Sequence, residues 1–187
     1  MSNPAQVTIL AEDRRQARLV RAYIRKRLPV YPQKAIKDIP MASGRGSGLQ
    51  WVLDRYAIEV KAHLTRRARK WLVVVIDADR DTLQERLDAL KHRLETAEDD
   101  RLRRCSAEDE QIARLIPKWS VETWILCLNG SAVDEQTAYK SRNHDWDRLT
   151  RPAAEALHNW ATDPHGAPAG CVPCLKHGIE ELKRLVR

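Results

Sequence analysis

The sequence predicts an α/β protein: a mostly parallel central sheet of about four strands, helices on both faces, and a helical C-terminal extension. Two apolar runs carry most of that expectation, Val7-Thr8-Ile9-Leu10-Ala11 and Leu72-Val73-Val74-Val75-Ile76. Neither alternates apolar with polar, so each reads as a strand covered on both faces, which is the pattern of parallel sheets. The third observation is the regular succession of strand-like and helix-like segments through residue 130, which implies right-handed crossovers. At 187 residues the chain suits one α/β domain over 1–130, with a mainly helical extension over 131–187 packed on it.

The first strand, 7–11, passes into a helix whose apolar positions Ala17, Val20, Ile24 and Leu28 recur at helical spacing. Asp13 suits the positive end of that helix. Arg14, Arg18, Arg21 and Arg25 fall on another face at steps of four, three and four, forming a basic stripe. Pro29 and Pro32 end the helix, and Ala35–Ile39 reads as a short strand closed by Pro40. Gly44-Arg45-Gly46-Ser47-Gly48 lacks the Lys-Ser/Thr ending of a phosphate loop and reads as a plain flexible connection.

Leu49 to about Lys70 predicts a long helix ending in Arg66, Arg67, Arg69 and Lys70, cations that suit a helix C-terminus. After the second apolar strand comes a helix with Leu83, Leu87, Leu90 and Leu94 on one face. Residues 98–111 are nearly all charged and read as a solvated loop or frayed helix end. Ile112–Pro117 reads as a strand, and Ser120 can cap a helix that stops at Asn129-Gly130. Two more helices are expected near 151–161 and 174–186.

Charge is unevenly spread. The net charge is +7, but residues 1–104 carry 23 Lys and Arg against 14 Asp and Glu, whereas residues 105–187 carry 10 against 12. A basic surface of this kind suits a polyanionic partner, and nucleic acid is the obvious one. No stretch approaches the roughly 18 apolar residues of a membrane span, and the start lacks a secretory signal. A cytoplasmic location without membrane association is expected, with the four cysteines as thiols.

Carboxylates stand at the ends of the two apolar strands: Glu12 after the first, Asp77-Ala78-Asp79 after the second. In an open parallel sheet the carboxyl ends of the strands form the ligand crevice, so the three belong on one edge. Strand alternation sends Asp77 and Asp79 the same way. Like charges held close repel unless a cation or proton is shared, which makes Mg²⁺ (or Mn²⁺) the expected cofactor. Glu12 could then hold a metal or move a proton. Taken singly, each of these residues is better explained as a helix cap, Asp79 or Asp81 for the helix at 82 among them, but the set taken together is not.

A lone Glu after the first strand and Asp-x-Asp after a later core strand resembles the Toprim domain of topoisomerases, bacterial primases, overcoming-lysogenization-defect nucleases and certain ribosomal-RNA maturases. The resemblance covers residues 7–81 as motif and extends to about 130 as layout. It implies that Glu12 is the general acid/base and that Asp77 and Asp79 hold Mg²⁺. The stretch Ile116-Pro117-Lys118-Trp119-Ser120-Val121-Glu122-Thr123-Trp124 is similar to the Pro, then Glu-x-Trp segment of small stand-alone bacterial Toprim-like proteins, several linked with phage defence. The chain departs from the family pattern at Asp13 and Gln16, where Gly and a second acidic residue are common. It therefore supports one metal better than two. No tyrosine for strand rejoining can be located.

Glu122, in the first turn of its helix, is a further candidate for the metal shell, or simply a dipole-stabilising residue. Lys118 and Lys140 are candidate neutralisers of phosphate charge. Cys171-x-x-Cys174 with His165 and His177 has the spacing of half a zinc site, with no matching second pair. Six tryptophans replace phenylalanine, which is absent, so most belong in the core, and one or two exposed near the basic face could stack on bases.

The expected function is a Mg²⁺-dependent nuclease, or a related phosphoryl-transfer enzyme, acting on DNA or RNA, with a role in phage defence. Glu12, Asp77, Asp79 and Glu122 form its site, with Arg14, Arg18, Arg21, Arg25, Arg66, Arg67 and Arg69 contacting the strand. The alternatives are a non-catalytic module binding nucleic acid or a protein partner through a vestigial site, and a defence component that needs a partner to act.

Overall fold

The computed structural model describes residues 6–28, 36–39, 48–65, 70–107 and 111–185. They form an α/β fold around a four-stranded, all-parallel sheet of order β2-β1-β3-β4, in which β1 is Gln6–Ala11, β2 Ile36–Ile39, β3 Lys70–Val75 and β4 Ile112–Leu115. The two most apolar runs of the sequence take the two central places. Seven helices are described: α1 Arg14–Arg27, α2 Gly48–Thr65, α3 Leu83–Glu95, α4 Asp100–Arg103, α5 Val121–Leu128, α6 Trp146–Thr162 and α7 Pro173–Arg184.

Strand alternation divides the core in two. Val7, Ile9, Val73, Val75, Ala113 and Leu115 face one layer, shared with residues of α1, α5, α6 and α7. Leu10, Leu72, Val74, Ile76, Ile112 and Ile116 face the other, against α2, α3 and α4. Helices thus cover both faces, which explains why these strands carry no polar stripe. On the first face α6 packs on α1 and α5, and α7 on β4 and α6. Gly178 permits the approach of α7 to α5: a Cβ there would meet Cζ3 of the fully buried Trp124 at 3.0 Å and its Cη2 closer still.

Helix starts depend on local chemistry. The Asp13 carboxylate accepts from the N–H groups of Arg15 and Gln16 and caps α1. Thr82 and Glu85 form a reciprocal capping box at α3, so neither Asp79 nor Asp81 caps that helix. Ser120 stands at the N-cap of α5 but its hydroxyl caps nothing and is buried. The charged stretch after 98 contains the short α4, nucleated where Leu102 enters the core. Helix α2 is described over Gly48–Thr65, and Lys70, expected at its end, belongs to β3. Among the described residues no helix is long and apolar enough to cross a membrane.

Candidate active site

Adjacency of β1 and β3 decides the geometry. Ala11 and Val75 are register partners, so Glu12, one residue past the first, and Asp77, two residues past the second, both emerge at the carboxyl edge of neighbouring strands. The N–H of Asp77 donates to Oε2 of Glu12 at 3.2 Å. Asp77 is only 3% exposed, and its segment stays tied to the β4 side, with Ile76 N–H donating to Leu115 O (3.1 Å) and Ala78 N–H to Pro117 O (2.9 Å).

Gln16 completes the cluster. Its Nε2 donates to Oδ1 of Asp77 at 2.8 Å, and its Oε1 accepts the N–H of Glu12 at 2.8 Å. It is wholly buried. A neutral amide here satisfies one oxygen of Asp77 without adding charge to a crowded spot.

Burial holds the Asp77 carboxyl well above the usual range, and the negative charges of Glu12 and Asp13 push it further, with the Gln16 hydrogen bond and Lys140 acting against them. Glu12 is raised as well, chiefly by burial and then by Asp79 and Asp13, while the Asp77 N–H and Lys140 pull it down. Glu12 is thus the member of the triplet that feels both aspartates' sides of the cluster.

Asp79 does not project as strand alternation predicts. The strand ends at Val75, and Asp79 is exposed with φ +50, bridged backbone to backbone with Lys118. The left-handed backbone reverses the chain and breaks the alternation that would have paired it with Asp77. Arg86, buried on α3, holds this turn by donating to the carbonyl of Ala78 (3.1 Å) and to the carboxylate of Asp81 (2.8 Å).

Gly48 sets the outer wall. A Cβ at this first residue of α2 would lie 2.9 Å from the carbonyl oxygen of Glu12 and closer still to its Cγ. Only glycine lets α2 begin against Glu12.

Glu122 is fully buried at the start of α5, and one oxygen is ion-paired with Arg15 while the other has no hydrogen-bond partner. The structure therefore joins Glu122 to Arg15, and the carboxylates it brings together at the strand ends are Glu12 and Asp77, with Asp79 at electrostatic range of Glu12.

From the loop between α5 and α6 comes Lys140, the one lysine among the principal influences on both Glu12 and Asp77. Its neighbour Tyr139 is buried, with its hydroxyl accepting from the Asp134 N–H (3.1 Å) and Arg142 stacked 4.5 Å from the ring centre. Glu135 ties the same loop down twice, accepting the Cys174 N–H at Oε1 (2.7 Å) and the Trp119 indole N–H at its carbonyl (3.2 Å). Lys118 donates to the carbonyl of Asp81 at 2.6 Å and lies over Trp119.

The basic stripe is partly spent inside the molecule. Arg18 pairs with Asp147 of α6, and Arg21 with Asp38 of β2 (2.6 Å); Arg14 and Arg25 are exposed. Arg66, Arg67 and Arg69, like most of the glycine segment 44–48, lie outside the described residues. Cys171 and Cys174 are buried with Cys127 in the core between α5 and α7.

Among the described residues no group of three or more His, Cys, Asp and Glu side chains is arranged to hold a metal ion. The donor chemistry nonetheless fits a hard cation. Mg²⁺ is ordinarily held by one or two carboxylates, with waters and substrate oxygens completing its shell. Glu12 and Asp77 are such a pair, with Asp79 exposed beside them. Arg15 and Arg86 were not readable as site residues; Gln16 gave a signal as the place where an acidic residue was expected, and Gly48 only as the end of a glycine segment that reads as a flexible connection. Comparison with protein-family models, curated proteins and solved structures finds no match to this chain.

Proposed function

We propose that this protein is a Mg²⁺-dependent nuclease, or a related phosphoryl-transfer enzyme, acting on DNA or RNA. The observation that carries the reading is the crowding of Glu12 and Asp77 at adjacent strand ends, both with raised carboxyl pKa values. Such crowding is unfavourable in isolation and is relieved by a divalent cation. The basic N-terminal half supplies the attraction for a polyanion that these carboxylates would otherwise repel.

Asp77 and Asp79, with Glu12, would hold the ion, which when bound neutralises and orients phosphate oxygens. Glu12, its proton affinity raised by burial, is suited to take a proton from the attacking water or return one to the leaving oxygen. Lys140 limits the negative potential that approaching phosphate meets.

The test is incubation of the purified protein with labelled single- and double-stranded DNA and RNA, with Mg²⁺ or Mn²⁺, beside Asp77→Ala. Metal-dependent cleavage abolished by the substitution supports the reading; cleavage that survives it, or none on any substrate, sinks it. One observation favours the competing reading of a non-catalytic binding module: Gln16 already satisfies Asp77 without a metal. Salt-dependent nucleic-acid binding without cleavage would support that module. Cleavage appearing only with a co-expressed partner protein would mark a defence component.

A further inference from the structure

Arg15 differs from every other arginine of α1. It stands in the first turn after β1, and Glu122 stands in the first turn after β4. Because β3 lies between β1 and β4 in the sheet, their ion pair spans the carboxyl end of β3, where Asp77 emerges. Trp146, the first residue of α6, lies under the guanidinium with 5.4 Å between its ring centre and the Arg15 Cζ. The group is thus held by a carboxylate of 0% exposure and by an aromatic face, while 32% of its side chain is open. Arg18 and Arg21, by contrast, are tied to Asp147 and Asp38.

A guanidinium has five N–H donors in a planar fork. Among the described residues Glu122 is the only hydrogen-bond acceptor for the Arg15 side chain. The remaining donors have no acceptor among the described residues, and about a third of the side chain is open to solvent. A buried ion pair is weak evidence for stability, since desolvation offsets its attraction, whereas a fixed guanidinium with free donors is suited to a phosphodiester.

We infer that Arg15 is the phosphate-orienting residue of this site and that Glu122 is its positioning residue, not a metal ligand. The inference rests on the nucleic-acid reading above. Glu122 fixes the fork, Trp146 supports its face, and a backbone phosphate of the strand takes the open donors, presenting its neighbour to Glu12 and Asp77.

The test is equilibrium binding of fluorescently labelled single-stranded DNA and RNA oligonucleotides, in EDTA so that no metal contributes, to four forms: wild type, Glu122→Gln, Arg15→Lys, and the double variant Arg15→Gln with Glu122→Gln. Glu122→Gln removes a negative charge, so general attraction alone would tighten binding; the inference expects it to weaken by about tenfold or more. Arg15→Lys keeps the charge but loses the fork, and is expected to bind several-fold more weakly. The double variant keeps the net charge and leaves no lone buried ion, and is expected to bind as weakly as Glu122→Gln or worse. Thermal melting of each form separates loss of fold from loss of grip. Unchanged or tighter binding by Glu122→Gln, or wild-type binding by the folded double variant, overturns the role of Arg15 and leaves the nuclease reading standing. A wild type that binds neither nucleic acid overturns the role of Arg15, while the cleavage assay above decides the nuclease reading separately.

Discussion

The side-chain amide of Gln16 donates to Oδ1 of Asp77 at 2.8 Å, so one oxygen of the most buried carboxylate at the strand ends is already engaged. Replacing Gln16 by Glu removes that donor and adds a charge beside two carboxyls that are already crowded. The metal-free variant is expected to lose about 1–3 kcal/mol of stability above the carboxylate range. Mg²⁺ should raise its melting temperature more than that of wild type, because a cation then has a further carboxylate to neutralise. Melting in EDTA and in Mg²⁺ measures both effects; equal Mg²⁺ shifts in the two proteins would refute the second.

Asp77→Asn tests the same crowding from the other side. A carboxyl whose folded pKa lies above its unfolded value binds more protons when folded. Its favourable contribution is therefore complete below the unfolded value, about 4, and is lost as pH rises through the folded value. Asp77 and Glu12 both behave so. Exposed carboxylates pulled down by their partners, such as Asp134 and Glu155, act in the opposite sense, so the comparison must be with the variant and not with pH alone. In EDTA, Asp77→Asn should melt above wild type at pH 8 and show a flatter decline from pH 5 to 8. Metal-dependent cleavage should fall by about 10²-fold or more.

Gly48→Ala separates local propensity from packing. Alanine within a helix is ordinarily better than glycine by roughly 0.5–1 kcal/mol. Here the new methyl would meet the Glu12 carbonyl at 2.9 Å, and its Cγ closer, so the start of α2 or Glu12 must shift. The variant is expected to lose about 1–3 kcal/mol and at least tenfold in cleavage. Chemical denaturation and initial rates would show it; a stabilised, fully active variant would mean that α2 does not abut Glu12.

Lys140→Gln removes the lysine that lowers both the Glu12 and Asp77 carboxyl pKa values. Both should rise further, and the acidic limb of the pH–rate profile should move to higher pH, with less effect on the alkaline side. Carboxyl-selective NMR titration of the two residues reads the same displacement directly. An unmoved acidic limb would place Lys140 away from the reacting groups.

Much of the fold was legible because parallel strands carry their burial in their composition. The runs at 7–11 and 72–76 had no polar face to hide, and they took the central places of the sheet. The meeting of Glu12 and Asp77 was legible for a similar reason, since strand ends in such sheets meet on one edge. The internal geometry of the triplet was not. Alternation failed at Asp79 because the left-handed residue lies past the strand's end, where period-two reasoning has no force. Gln16 is legible in the sequence only as a missing acid, because a side-chain amide gains its meaning from two partners, one of them 61 positions away. Arg15 was hidden by the regular spacing of its neighbours: Arg14, Arg18, Arg21 and Arg25 share a face that it does not, and its partner Glu122 is 107 residues downstream. Contacts over such separations leave no local periodicity to read.

The dispersal of these residues has a consequence for synthesis. As the chain emerges, both strand-end carboxylates are present once residue 77 is made, but the loop carrying Lys140 and the indole of Trp146 follow only after α5. A ribosome-bound intermediate stalled before residue 140 would own the acidic edge without the cation or the aromatic wall beside it. Completeness of the crevice thus waits for the start of α6, so that a growing chain carries Glu12, Arg15 and Asp77 well before the lysine and the indole that flank them.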